Sequence, residues 1–340
     1  MNCDIMKEAD NTTNQRSMDC IDVGSENCPC YLALTGDCLI CSRLQGKDYC
    51  GCNWAGVCVY NEFIQGNKKV NNPRKDFEAK IVRRKIYNEN LIVYVLDVGK
   101  GFAMKVERPG SYLLARAKGA ESFYDIPLSI MKTDVEQGHI YLAIKVISSK
   151  TKTLIGENDT LLIRGPYRSG IHGISAIVGN KAKDQKVLII GKGIGIAPGA
   201  LISQSIGTRA SIDMVIDTEK ICKEFIKDFI YPAQGTERVH NEDTEIQYMS
   251  LNNKETNNKL ETLMQNKNYD SVILLVSDYY IGNLGSLVKM VLPKANLAVS
   301  NNFRICCGEG LCGSCSVDTG SGSIKMCKCR LKGEELLNSQ

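Results

Sequence analysis

The chain has 340 residues, 43% of them apolar and 24% charged, which suits two or three folded domains with a sizeable buried core. Its 42 basic and 38 acidic residues leave a net charge of +4, and no Lys/Arg block is interleaved with aromatics; this argues against a nucleic-acid partner and for a protein or small molecule. No apolar run approaches the roughly 18 residues that span a bilayer. The N-terminus MNCDIMKEADNTTNQ lacks the charged start and apolar centre of a signal peptide, so the expectation is a cytoplasmic protein with no membrane partner.

In that compartment disulfides are rare, and clustered cysteines more often bind metal. The 16 cysteines are clustered: nine between Cys3 and Cys58, six between Cys306 and Cys329, and Cys222 by itself. After a polar start, residues 1–72 form a cysteine-rich domain whose block CPCYLALTGDCLICSRLQGKDYCGCNWAGVCVYNEF packs Cys28, Cys30, Cys38, Cys41, Cys50, Cys52 and Cys58 together. Ordering so many thiols costs free energy that metal binding offsets. Cys38-x2-Cys41, with Cys50 or Cys52 and Cys58, therefore reads as a second iron-sulfur site or a structural zinc, with Trp54 packed over it. Plain buried cysteines would need more aliphatic neighbours than the block provides. The polar stretch QGNKKVNNPRK, Gln65 to Lys75, reads as a linker.

Residues 76–182 show short β-type runs (Leu91–Leu96, Ser111–Ala115, Ile140–Ile147, Thr160–Ile163) separated by turn signals, the pattern of a small barrel. Ile126-Pro127-Leu128-Ser129 and Gly165-Pro166-Tyr167 read alone as turns. From 183 to 300 strands alternate with helices, implying a parallel α/β sheet: strands at Val187–Ile190, Ile212–Ile216 and Ser271–Val276, a helix over Glu219–Phe229, and a helical centre within Asn241–Asn268. Directly after the first strand comes Gly191-Lys-Gly193-Ile-Gly195-Ile-Ala197-Pro198. Such glycines let backbone approach a pyrophosphate at a helix N-terminus, although a ligand-free strand-to-helix turn looks the same. His139, His172 and His240 show no metal spacing, and Cys222 reads as a buried hydrophobe on its helix.

The module at 301–335 carries the sharpest pattern. Cys307, Cys312 and Cys315 are spaced C-x4-C-x2-C, and Cys327 follows after eleven residues, the plant-type arrangement that holds a 2Fe-2S cluster. Gly308, Gly310 and Gly313 let the loop wrap an anion with its N–H groups inward, partly through positive φ. Cys306 and Cys329 are neighbours able to stand in as ligands, and a zinc knuckle is the competing reading, although its ligands favour paired short spacings on both sides.

In this order, a barrel, a Gly-Pro turn, a glycine loop ending in Ala-Pro and a C-x4-C-x2-C-x11-C module, the chain resembles the ferredoxin reductase superfamily. More closely it is similar to the electron-transfer subunit of dihydroorotate dehydrogenase and to sulfide dehydrogenase small subunits. The resemblance covers about residues 77–330. It implies a flavin-binding β-barrel followed by a parallel α/β nicotinamide-nucleotide domain, with FAD (FMN as the alternative) along Ile126, Pro127, Leu128 and Ser129 and near Gly165 and Pro166. NAD(P) would lie on Gly191, Gly193, Gly195, Ala197 and Pro198, and the 2Fe-2S cluster would hand electrons to a catalytic oxidoreductase subunit or a ferredoxin. No side chain need act as acid, base or nucleophile. Two departures stand out. The family's flavin-phosphate Arg position holds Ile126, preceded by Asp125, so Arg116 or Lys132 would have to substitute. The nicotinamide strand ends in Ser277-Asp278-Tyr279 rather than Cys-Gly-Pro. The carboxylates of Asp217-Thr-Glu219 favour NADH over NADPH. These departures motivate the alternatives of a cluster-bearing relay or scaffold that has lost flavin and nucleotide turnover, or a non-enzymatic metal-binding interaction protein.

Overall fold

The structure is a computed structural model, and it describes residues 19–157, 159–219, 221–230, 245–318 and 323–337. The expectations for His240 and for the polar start of the chain up to residue 18 lie outside the described residues.

The first described residues form a short strand, β1 (Asp19–Cys20). The cysteine-rich block that follows is built from a helix at Tyr31–Thr35, a 3-10 turn at Ser42–Gln45 and a helix at Val59–Gln65. Its core is small: Cys28, Ala33, Cys38, Cys41, Leu44, Val59 and Phe63.

Seven antiparallel strands come next: β2 (Phe77–Asn88), β3 (Leu91–Asp97), β4 (Tyr112–Ala117), β5 (Ile126–Ser129), β6 (Lys132–Asp134), β7 (His139–Lys145) and β8 (Thr160–Tyr167). They pair in the order β5-β4-β8-β2-β3-β7-β6. The sheet curls until its two edges are joined by the chain itself. Between β5 and β6, Ile130 N donates to Ser111 O and Met131 N to Tyr141 O, both at 3.0 Å. The unbroken apolar run of β3 has a simple cause. Ile92, Tyr94 and Leu96 point into the curled sheet, while Leu91, Val93 and Val95 join the core of the next layer, so neither face meets water.

That layer contains β9 (Ile171–His172), β10 (Gln185–Lys192), β11 (Ala210–Asp217), β12 (Ile246–Tyr248), β13 (Ser271–Leu275) and β14 (Asn296–Ser300). Their order is β12-β11-β10-β13-β14-β9, parallel throughout except that β9 pairs antiparallel to β14. Helices at Ala197–Ile206, Lys254–Lys267 and Asp278–Val291 link these strands. The helix expected over Glu219–Phe229 is a single α-turn at Lys223–Phe225 that continues as a π-helical turn, Ile226–Ile230. The reason is local: the Asp217 carboxylate accepts the Glu219 N–H at 3.0 Å, a turn that delays helix entry. Cys222 caps that turn and is only partly buried against Phe225 and its neighbours.

The last part of the chain forms the hairpin β15 (Ser316–Asp318) and β16 (Ser323–Lys325), then β17 (Cys329–Arg330), which returns to pair antiparallel with β1, Cys20 opposite Cys329. Among the described residues no helix is long and apolar enough to cross a membrane.

Candidate functional site

The C-terminal cysteines lie near one another, although among the described residues no three His, Cys, Asp or Glu side chains form a group that could hold a metal ion. The Cys327 side chain lies beside those of Cys307 and Cys315, and that of Cys307 beside Cys312. That proximity favours the thiolate at two of them. The neighbouring Cys327 draws Cys307 down to about 4 and Cys315 down to about 6, while Cys327 is itself pushed up. Backbone N–H groups also point at sulfur: Glu309 N reaches Cys307 Sγ at 3.3 Å and Cys327 N reaches Cys315 Sγ at 3.4 Å. Cys329 faces the other way, its Sγ 3.5 Å from Met326 Sδ, and Cys306 bonds only toward Cys312 and Ser314. Of the two candidates for the fourth position, Cys327 is the one turned to the loop.

The loop is shaped by what packs on it. Gly308 has φ +70, and a Cβ there would lie 2.5 Å from Tyr167 Cε1; Gly310 has φ +79, and its Cβ would lie 2.6 Å from Leu32 Cδ2. The Gly165-Pro166-Tyr167 turn and the cysteine loop, far apart in sequence, are therefore in contact, and the N-terminal block touches the same loop. Beneath it lies a buried network that the sequence reading did not identify. Lys328, fully buried, pairs with Asp22 at 2.7 Å and with Glu309 at 2.9 Å. Arg74 pairs with Asp22 at 2.6 Å, approaches Glu309 at 3.4 Å, donates to Pro166 O at 2.6 Å and stacks over the Tyr167 ring at 4.8 Å. Tyr167 O–H closes the circuit onto Glu309 at 3.1 Å. Burial works to raise the Asp22 carboxyl, but the Lys328 and Arg74 charges outweigh it and hold it below the usual range. The one local hint was Glu309, an acidic side chain between Gly308 and Gly310 in the cysteine loop.

On the barrel, the expected flavin segment is β5. Leu128 is buried, while Pro127 and Ser129 are exposed. The phosphate partner is the weak point. Asp125 is locked between Arg116 at 2.7 Å and Arg164 at 2.6 Å, and Arg116 also holds Asp76 at 2.6 Å. Arg116 is thus occupied and does not replace the missing guanidinium; Lys132 packs over the Tyr141 ring at 5.7 Å. A flavin on this face would be held by backbone and Ser129.

The glycine loop sits where β10 lies between β11 and β13, the point at which the strand order reverses and open α/β sheets receive ligands at their carboxyl ends. Gly193–Ile196 make a 3-10 turn, and Pro198 lies in the first turn of the following helix. A Cβ on Gly195 would come within 2.6 Å of Leu275 O, so the loop presses against the end of β13. Gln204 of the same helix fastens it to the barrel through both Thr133 backbone groups, at 3.3 and 2.9 Å. Lys192 Nζ bridges Asp217 and Glu219, each at 2.6 Å, and stacks on Tyr280 at 5.1 Å. The two carboxylates expected to repel a 2′-phosphate are therefore partly neutralised. This geometry fits a dinucleotide pyrophosphate on backbone N–H groups.

In the N-terminal block, Cys41 N donates to Cys38 Sγ at 3.4 Å, and Cys50 and Cys52 Sγ lie 3.9 Å apart. Cys41, Cys50, Cys52 and Cys58 line one cavity of about 530 Å³ with Trp54 and Tyr60. Among the described residues, no three His, Cys, Asp or Glu side chains converge on a point fit for a single metal ion.

No known family's sequence model matches the chain. It is 24% identical over 261 residues to an uncharacterized protein in the adh 3′ region of Clostridium beijerinckii, covering 72% of this chain and 81% of that one. Among solved structures it is similar to an NADH-dependent reduced ferredoxin-NADP oxidoreductase studied for flavin-based electron bifurcation, with a TM-score of 0.55 and 18% identity over 77% of this chain and 92% of that chain. A ferredoxin reductase of carbazole 1,9a-dioxygenase gives a TM-score of 0.47 at 16% identity, over 68% of this chain and 70% of that chain.

Proposed function

We propose, for a chain that has the fold of the ferredoxin reductase superfamily, that it is an electron-transfer subunit carrying a 2Fe-2S cluster on Cys307, Cys312, Cys315 and Cys327. It would pass electrons between a reduced nicotinamide nucleotide, a flavin and that cluster to a partner oxidoreductase subunit or ferredoxin. The observation that carries this reading is the C-x4-C-x2-C loop itself, shaped by Gly308, Gly310 and Gly313 at positive φ, with N–H···S bonds at Cys307 and Cys315. A cluster held there exchanges single electrons; its potential is set by such bonds and by burial. Tyr167 would then exclude water from one side of the loop, and the Lys328 ammonium would place positive charge under thiolates that gather negative charge.

On the α/β layer, Gly193, Gly195, Ala197 and Pro198 would seat the nucleotide, and Ser277 and Asp278 flank the same crevice. A flavin, when bound, accepts a hydride and releases electrons singly. Here Ile126–Ser129, Gly165 and Pro166 offer it no guanidinium, so we expect it to exchange readily. The Asp125–Arg116–Arg164 lock favours one second reading, a relay that keeps its cluster and has lost flavin turnover. Anaerobic purification followed by iron and acid-labile sulfide analysis, flavin release and NADH titration distinguishes them. Two irons with sulfide and a flavin bleached by NADH support the first reading; iron and sulfide without flavin or bleaching support the second. A colourless protein without iron refutes both.

A further inference from the structure

A cavity of about 180 Å³ is lined by none of the residues assigned above to flavin, nucleotide or cluster. Three arginines from distant parts of the chain face it: Arg108 from the loop ahead of β4, Arg168 from the turn after β8, and Arg330 from β17. Backbone bonds hold these segments together. Gly170 N donates to Gly110 O at 3.0 Å and Gly173 N to Leu331 O at 2.9 Å, which clips the loop ahead of β4 and the end of β17 to the stretch that carries Arg168 and His172. Between the arginines lies the imidazole of His172, 1% exposed, whose Nε2 has no hydrogen-bond partner among the described residues. The Nε of Arg168 is likewise buried and without a partner among them.

Electrostatics decide what such a cavity takes. Burial, and after it the charge of Arg108, pull the Arg168 guanidinium below its usual range, so the two cations repel each other across low-dielectric space. The carboxylates that act on Arg168 from farther off are engaged elsewhere: Asp22 pairs with Lys328 and Arg74, and Glu26 pairs with Lys105 at 2.6 Å. An anion in the cavity relieves that repulsion. Planar guanidinium forks match the two oxygens of a carboxylate, and a neutral imidazole can donate one further N–H to them. The opposite wall is apolar, formed by Pro109, Ile174 and Val178 among others, and suits a hydrocarbon body rather than a second charge. At about 30 Å³ for each water-sized unit, the volume admits a short-chain acid and excludes a dinucleotide.

We infer that this cavity binds a small organic carboxylate, its oxygens on Arg108, Arg168, Arg330 and His172 and its hydrocarbon part against Ile174 and Val178. The site stands apart from the electron-transfer reading and survives its failure. It also touches that path at one point, because Ser169, which lines the cavity, donates through Oγ to Cys327 O at 3.0 Å. The test is calorimetric titration of the full chain with sodium pentanoate, ionic strength being held constant with chloride, beside the same titration with neutral pentanamide and with inorganic phosphate. Pentanoate is expected to bind one saturable site and to raise the thermal midpoint, phosphate to bind more weakly, and pentanamide not to bind. Arg108→Gln and Arg330→Gln should each weaken pentanoate about tenfold or more, as loss of a charge-assisted hydrogen bond does, while Lys100→Gln on the exposed surface should not. Arg108 is itself exposed, so its replacement leaves the core untouched. No saturable binding of pentanoate overturns the inference, as does pentanamide or phosphate binding equally well, or an affinity unchanged in both arginine variants.

Discussion

Lys328 is the residue on which most of the buried polar chemistry converges. Its ammonium, at 0% exposure, is flanked by Asp22 and Glu309, with Arg74 sharing both carboxylates. Breaking one partner out of such a network leaves buried charge uncompensated, which costs about 3–5 kcal/mol, whereas exposed pairs contribute well under about 1 kcal/mol. Lys328→Met should therefore lower the urea midpoint steeply, while Lys100→Met, whose partner Glu136 is solvent-exposed, should leave it nearly unchanged. Equal effects would mean the network adds nothing to stability. His172 makes a second residue-scale prediction. Burial depresses it to about 4 from 6.5, its Nε2 has no partner, and the cavity it lines carries Arg108, Arg168 and Arg330 but no carboxylate. Because the unfolded chain takes up the proton first, the contribution is intact above about pH 6.5 and is lost as pH falls toward about 4, on the order of 3 kcal/mol in all. Denaturant titrations at pH 7 and pH 5 should show this loss in the native protein and not in His172→Leu. Neither residue was readable for these roles beforehand. Lys328 stands 306 positions from Asp22, and no local pattern announces a partner that distant.

The elements divide by how much of their cause is local. β3 was plain as an apolar run, and the glycines at 308 and 310 were rightly placed at positive φ, because turn chemistry is written in adjacent residues. β2 was missed. Its FEAKIVRRKIYN puts Lys, Arg and Glu outward along nearly its whole length, and its strand character comes from pairing with β3 and β8 rather than from an apolar face. Likewise Asp125 looked like an intruder in a flavin motif, since Arg116 and Arg164, which neutralise it, lie on other strands. The glycine loop was legible as a loop; its fit against β13 was not. That fit yields a prediction at this scale. Gly195→Ala forces a methyl against Leu275 O, a backbone atom that cannot swing away, so the strand-to-helix turn must shift, at about 1–3 kcal/mol. Calorimetric titration with NADH should show binding weakened at least tenfold in this variant, and unchanged affinity would detach the loop from nucleotide binding.

At the scale of the molecule, the N-terminal block is tied to the rest of the chain by the segment that joins them. The polar stretch expected to act as a linker buries Arg74, ties Asn71 N to Pro29 O at 2.8 Å, and leads straight into the network under the cysteine loop. The composition of Gln65 to Lys75 gave its polarity, but a buried guanidinium inside a polar segment cannot be told from an exposed one without its partners. Limited trypsin digestion provides the measurement. Cleavage at the exposed Lys68 or Lys69 should leave two fragments that co-elute in size-exclusion chromatography until denaturant is added. Fragments separating in native buffer would mean the block is autonomous.

The ribbon of β1 with β17 also imposes an order on biosynthesis. During translation Asp22 and Cys20 emerge well before Lys328 and Cys329, which they meet; Lys328 lies 306 positions after Asp22. Until then the early thiols have no lid, and the carboxylate of Asp22 has lost neither its water nor its freedom. The pairing of β1 with β17 and the burial of the Asp22 carboxylate against Lys328 accordingly wait on chain made much later.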